Sequence, residues 1–153
     1  MKTVVQRVTR AEVRVAGEAI ASIGRGVLAF VGVEKGDGDG DVDVTVRKLA
    51  ALRMFPGRTP MDLNLAEANG ACLVVSQFTL AASLAKGNRP SFEPAEEPGR
   101  AEVLYERVVA GLRQVRLPVA TGRFGADMEI DLVNDGPVTF LVFTRRGAFV
   151  KEP

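Results

Sequence analysis

The stretch Glu129–Phe143, EIDLVNDGPVTFLVF, decides how this chain is read. Ile130 and Leu132 alternate with polar neighbours before its middle, and an apolar, β-branched run, VTFLVF, follows. Both halves have the period of β-strand. Between them stands Gly136-Pro137, and proline has no N–H to give to a ladder, so strands carry it at edges or bulges. A plain turn or edge kink is one reading of the pair. A cis peptide bond is the other, which would turn two successive carbonyl oxygens the same way as a rigid pair of acceptors. Both stay open from these residues alone.

Working outward, the same alternation marks strands at 2–9 (KTVVQRVT) and 11–16 (EVRVAG), with Gly17-Glu18 as a hairpin turn into AIASIG. GVLAFVGV (26–33) is a continuous apolar run that suits a strand buried on both faces. A helix is predicted from Asp41 to Met54, with Val42, Val46, Leu49 and Ala50 on one face and aspartates at its positive end. A strand over 71–80 (ACLVVSQFTL) and a Pro-punctuated loop precede a second helix, from Gly99 to Val115, whose apolar stripe is Leu104, Val108, Leu112 and Val115. Strands follow at VATGRF, DMEIDLV and VTFLVFTR. The expected class is α+β: a mainly antiparallel, barrel-like sheet with two packed helices, in a single domain spanning 1–153. The exposed edges of so small a sheet favour burial by dimerisation.

Composition narrows the chemistry. The chain has 153 residues, 46% of them apolar and 25% charged, with a net charge of +1. That suits a globular protein and lacks the strongly basic signature of a nucleic-acid-binding domain. No apolar run reaches the ~20 residues of a membrane-spanning helix, and the N-terminus lacks the form of a secretory signal; a cytoplasmic protein is expected. The single cysteine, Cys72, lies in an apolar strand, where an inert thiol is the default reading. There is no histidine, which removes Ser-His-Asp and Cys-His machinery and His-based metal sites. The acidic run DGDGDVD fails as a calcium loop, because its sixth and twelfth positions from Asp37 are Val42 and Lys48, not Gly and Glu. Neither a metal nor a cofactor is expected.

Within the 71–80 segment, Ser76, Gln77 and Thr79 surround Phe78 just where the apolar run ends. On a strand, Gln77 and Thr79 would face one side and Ser76 and Phe78 the other. Such groups line a pocket or satisfy nearby backbone, and the residues alone do not choose between these.

Taken together, SQFTL (76–80) and NDGPVTF (134–140), with QRV, GVLAFVGVEKGD, LRMFP, KGNRPSF and GRFGADMEIDLVNDGPVT, make the chain resemble the D-aminoacyl-tRNA deacylase family over nearly its whole length. The resemblance implies a homodimer with a β-barrel-like fold and active sites at the subunit interface. It implies that Ser76, Gln77, Phe78 and Thr79 line the pocket for the terminal adenosine and aminoacyl ester. Asn134, Gly136, Pro137, Val138 and Thr139 match a motif whose Gly-Pro bond is cis and reaches into the other subunit's site, braced by Arg7. The implied reaction is hydrolysis of D-aminoacyl-tRNA, and of mischarged glycyl-tRNA, with L-amino acids rejected sterically and no membrane or DNA partner. A non-catalytic dimeric module that holds an amino-acid-like ligand or an RNA end is the competing reading; hydrolysis of a D-aminoacyl ester separates the two.

Overall fold

A computed structural model describes residues 1–151. In chain order its elements are β1 (Lys2–Val15), β2 (Glu18–Ile23), β3 (Gly26–Gly32), α1 (Asp39–Ala51), β4 (Ala71–Ser76), a 3-10 turn (Phe78–Ala81), α2 (Pro98–Gln114), β5 (Val119–Thr121), β6 (Glu129–Arg145) and β7 (Ala148–Phe149). One sheet runs β5-β4-β3-β1-β6-β7, with β2 added to β1.

β1 is the spine. Its first half pairs with β3, from Lys2 opposite Gly32 to Val8 opposite Gly26, and its second half pairs with β2, from Ala11 opposite Ile23 to Val15 opposite Glu18. On its other side β6 follows it throughout, from Lys2 opposite Phe143 to Arg14 opposite Glu129. Where β3 ends β2 takes over, and the sheet folds round a small core of Val8, Ala11, Val13, Leu28, Leu73 and Val75, closed by Ile20, Ile23, Ile130 and Leu132. The opposite face carries Val5, Val27, Ala29, Val31, Cys72 and Val74, and the stripes of α1 (Val42, Val46, Leu49) and α2 (Leu104, Val108, Leu112) cover it. Each fully buried leucine there contributes ~1.5–3 kcal/mol.

The α+β class and both helices are as expected, and most of the pairings are antiparallel, but the sheet is mixed: β3–β4 and β4–β5 pair parallel. The cause is connectivity. The links from β3 to β4 and from β4 to β5 each carry a helix, and a helical crossover returns the chain in the same direction. The parallel ladder closes tightly at Gly26, where any Cβ would lie 1.8 Å from the Ala71 carbonyl oxygen.

Several bounds also shift. The two N-terminal strands are one bent strand, irregular between Gln6 and Arg10, and its hairpin turns on Ala16 and Gly17, both at positive φ, not on Gly17-Glu18. α1 starts at Asp39, where the Asp41 carboxylate accepts the Gly38 N–H at 3.1 Å. Val115 lies past the end of α2 and is 52% exposed, so it leaves the predicted stripe. The strand predicted to Leu80 stops at Ser76. The Met1 ammonium is buried, donating to Asp37 Oδ1 (2.6 Å) and the Thr144 carbonyl (2.7 Å); burial still holds the Asp37 carboxyl above its ordinary value against the ammonium's pull.

The opening stretch is likewise one strand, not two. Opposite β1, Thr139 pairs with Gln6 and Asn134 with Val8, so residues 135–138 bulge out against Arg7 alone. The Gly136-Pro137 bond within the bulge is cis. Gly136 sits at φ +135, and a Cβ there would meet Val138 Cγ2 at 2.6 Å and the Val138 nitrogen at 2.9 Å. Gly136→Ala is therefore expected to cost ~1–3 kcal/mol in urea unfolding, more than alanine at the open Gly24.

Burial pushes the Cys72 thiol from its ordinary 9.0 to about 12. The Tyr105 hydroxyl, which donates to the Val74 carbonyl at 2.8 Å, rises from 10.0 to about 12. Above pH 9 the unfolded chain loses these protons first, so it binds fewer protons than the fold and stability falls as pH rises towards 12. Urea midpoints measured from pH 8 to 11 should decline, the unfolding free energy falling by at most ~1.4 kcal/mol per pH unit for each group, and a thiol reagent at pH 8 should label Cys72 only in denaturant.

Candidate active site

The polar segment after β4 is a turn, not strand. Ser76 makes the last pairing with β3, opposite Val31, and the Gln77 N–H still reaches the Val31 carbonyl at 2.8 Å. Gln77 then leaves strand geometry, at φ −139 and ψ 80, and caps the 3-10 turn Phe78–Ala81. The period-2 rule for which side chains share a face thus stops at Ser76. In its place the turn presents the N–H groups of Phe78 and Thr79, which open a 3-10 turn and have no acceptor inside it.

Around this turn lies a cavity of ≈ 480 Å³, bordered by Ser76, Gln77 and Phe78 on one side and by Phe124, Met128 and Glu96 on the others. Thr79 is exposed beside it, and its Oγ1 accepts a hydrogen bond from Gln77 Nε2 at 2.5 Å. An amide N–H cannot take a proton from that hydroxyl, and among the described residues no carboxylate or amine hydrogen-bonds to it. Phe78 is 58% exposed and packs its ring 5.2 Å from that of Phe92. A larger groove, ≈ 770 Å³, runs between α1 and α2 past Asp39, Asp43, Arg47 and Arg107, and none of the predicted site residues borders it.

The residues predicted from the second motif gather in the bulge of β6. Arg7 fills the gap that the bulge leaves. It is 8% exposed, and donates from Nε to the Asp135 carbonyl (3.0 Å) and from Nη1 to the Met54 carbonyl (2.7 Å), with the Asp135 carboxylate 3.4 Å away. Asn134 closes the neck: its Oδ1 accepts the Val138 N–H at 2.9 Å, and its Nδ2 donates to Thr139 Oγ1 at 3.0 Å. Because a backbone N–H can only donate, that contact also fixes which way the Asn134 amide points. Val138 is buried inward, while Gly136 and Pro137 are exposed at the crest.

Within one chain the two motifs do not meet. Ser76 aligns through Val31 and Thr3 with Val142, whereas the bulge lies opposite Arg7, four residues further along β1. None of residues 134–139 borders the Gln77 cavity of its own chain. Sequence reasoning also left out residues that line the cavity, Phe124 to Met128 from the β5–β6 connection. Their signal was a Gly-flanked aromatic, GRFG, between two strands. It left out the Met54 carbonyl and Gln6 as well, whose Nε2 donates to Thr139 Oγ1 at 3.2 Å.

With this geometry in place, comparison with known proteins is specific. The family model described as D-Tyr-tRNA(Tyr) deacylase matches residues 4–143. D-aminoacyl-tRNA deacylases of Methylococcus capsulatus and Anaeromyxobacter dehalogenans are each 52% identical to this chain, over 93% and 95% of it and 94% and 99% of their own lengths. Among solved structures, a c-Myc DNA unwinding element binding protein superposes with a TM-score of 0.90 at 38% identity, covering 94% of this chain and 99% of its own. A "probable eukaryotic D-amino acid tRNA deacylase" superposes at 0.74 and 18% identity, over 92% of this chain and 97% of its own, a likeness of fold. A seam in β6 built round Arg7, a polar turn after β4 and near-full-length relatives of one kind lead to a single conclusion: the chain belongs to the D-aminoacyl-tRNA deacylase family, a family of hydrolases.

Proposed function

We propose that this member of the family, acting in the cytoplasm as one deacylase domain over 1–153 and as a homodimer, hydrolyses the ester of D-aminoacyl-tRNA and of mischarged glycyl-tRNA. The chiral test falls to main-chain oxygens. In this reading the carbonyls of Gly136 and Pro137 of one copy enter the Gln77 cavity of the other and capture the substrate's α-ammonium. They leave no room for a Cβ on the L side. Rejection by clash needs no reading of the side chain, so many D-amino acids fit, and glycine with them. The observation that carries the reading is the crest of the β6 bulge. Gly136 and Pro137 stand exposed, held from behind by Arg7 and Asn134, yet neither borders the cavity of their own chain.

A second copy has a seat nearby. Val4, Phe30 and Leu141 align across three strands on the sheet face that the helices leave uncovered. Leu141 is 56% exposed, and Val133, on the other side of the bulge, is 41% exposed. Burying that row against its own image would complete the site.

The chemistry we propose is attack by water. Among the described residues Thr79 has only an amide N–H at its hydroxyl, and an unassisted hydroxyl is a poor nucleophile at neutral pH. The N–H groups of Phe78 and Thr79 would stabilise the oxyanion, each such donor being worth ~10²–10³ in rate. The 2′-OH of the terminal ribose, absent from DNA, would assist. An ester is already activated, which suits a chain that has no histidine.

Incubation with D-Tyr-tRNA and L-Tyr-tRNA should release tyrosine from the D-ester only; release of neither would return the chain to the binding-module reading. Thr79→Ala should keep turnover within about threefold of the parent, whereas its loss with ester binding intact would make Thr79 the nucleophile. Leu141→Glu should give a monomer by light scattering and lose D-Tyr-tRNA hydrolysis with it, while a folded, fully active monomer would remove the two-copy site.

A further inference from the structure

Directly after the 3-10 turn the chain rises into a small hairpin that none of the site geometry uses. Ser83 and Ser91 exchange both backbone hydrogen bonds, at 2.8 and 2.9 Å. The seven residues between them, Leu84 to Pro90, are all exposed, with Gly87 at φ +66 turning the tip. The tip reads Lys86-Gly87-Asn88-Arg89, and no acidic residue occurs from Gln77 to Phe92. Glu93, the next carboxylate, lies past the base of the hairpin. Among the described residues neither Lys86 nor Arg89 enters a salt bridge, and the hairpin itself holds no carboxylate to screen them.

The hairpin is also fastened to the site. Phe92, one residue beyond the Ser91 bridge, packs on Phe78, which borders the Gln77 cavity. The tip lies about three residues past the bridge, a reach of ~10 Å. Two unpaired cations are thus carried at a set distance from the pocket, on a finger with an aromatic root. A polyanion whose end occupies the pocket is the partner that such an arrangement fits, because cations without protein partners release counterions on meeting phosphates.

We propose that the 83–91 hairpin is a phosphate tether: Lys86 and Arg89 hold the single-stranded RNA backbone just 5′ of the terminal adenosine. It secures the acceptor end but takes no part in ester cleavage. This rests on the hydrolase reading above, and the test keeps the two apart.

The test uses the full-length protein and two substrates, D-Tyr-tRNA and 3′-D-tyrosyl-adenosine, which has the same ester and no phosphate. For the Lys86→Ala/Arg89→Ala variant, KM for the tRNA should rise about tenfold with kcat unchanged. The slope of log(kcat/KM) against log[salt] should become shallower by ~1.4, at ~0.7 per contact for single strands. Hydrolysis of tyrosyl-adenosine should match the parent, which also shows that the variant is folded. Lys86→Glu/Arg89→Glu should deepen the tRNA defect alone. An unchanged KM for the tRNA, or an equal loss on both substrates, would overturn the tether. Failure of the parent protein to cleave either D-ester would instead overturn the hydrolase reading.

Discussion

The pairing of β1 with β6 round the Arg7 guanidinium is the constraint on which the rest depends. A buried arginine is costly unless its donors are answered. Here they are met by the Asp135 carbonyl, the Met54 carbonyl and the nearby Asp135 carboxylate. The side chain thereby stands in for the ladder bonds that β6 gives up over 135–138. It also ties the seam to the segment after α1, where Phe55 is fully buried. One cation holds together the spine of the sheet, the layer beneath it and the crest that carries Gly136 and Pro137. A loose loop could carry the same residues but would not hold two carbonyls to the tolerance that the proposed steric test needs.

The turn at Gln77 bears on the chemistry in a related way. Had the strand run on to Leu80, the N–H groups of Phe78 and Thr79 would have been open to a neighbouring strand. By leaving strand geometry at Gln77, the chain frees donors beside a cavity without exposing a buried ladder. Backbone groups at both motifs, carbonyls at one and N–H groups at the other, suit a chain that lacks imidazole. In the proposed reading, what discriminates and what stabilises are peptide groups, and Arg7 and Asn134 hold the first of these in place.

Much of this was legible in the residues. The periods of Val42, Val46 and Leu49, and of Leu104, Val108 and Leu112, marked both helices because each stripe faces an apolar sheet. The unbroken run of β3 matched a strand covered on both faces. Parallel pairing was harder to see, since it depends on how the crossovers return, and not on the side chains of β3 or β4. The bulge was read as a break between two strands because periodicity ends at Asn134 and restarts at Val138. Only the register with Gln6 and Val8 shows one strand crossing it. At the site, residues with a local polar signal were found. Those brought in by tertiary contact were not: the Met54 carbonyl and Gln6 have no local feature that announces where they will lie, and GRFG marks a turn but not the cavity it borders.

The same seam has a bearing on how the molecule is made. β1 is the first of the elements and its partner β6 the last but one; the Met1 ammonium and the Thr144 carbonyl that it meets are 143 positions apart. While the chain is still being elongated, the middle strand of the sheet must wait with one side unfilled. Such long-range pairing slows folding and leaves an edge on which newly made chains can pair with one another. A protein organised this way gains its sheet, and its crest at Gly136, only when its most distant strands have found each other.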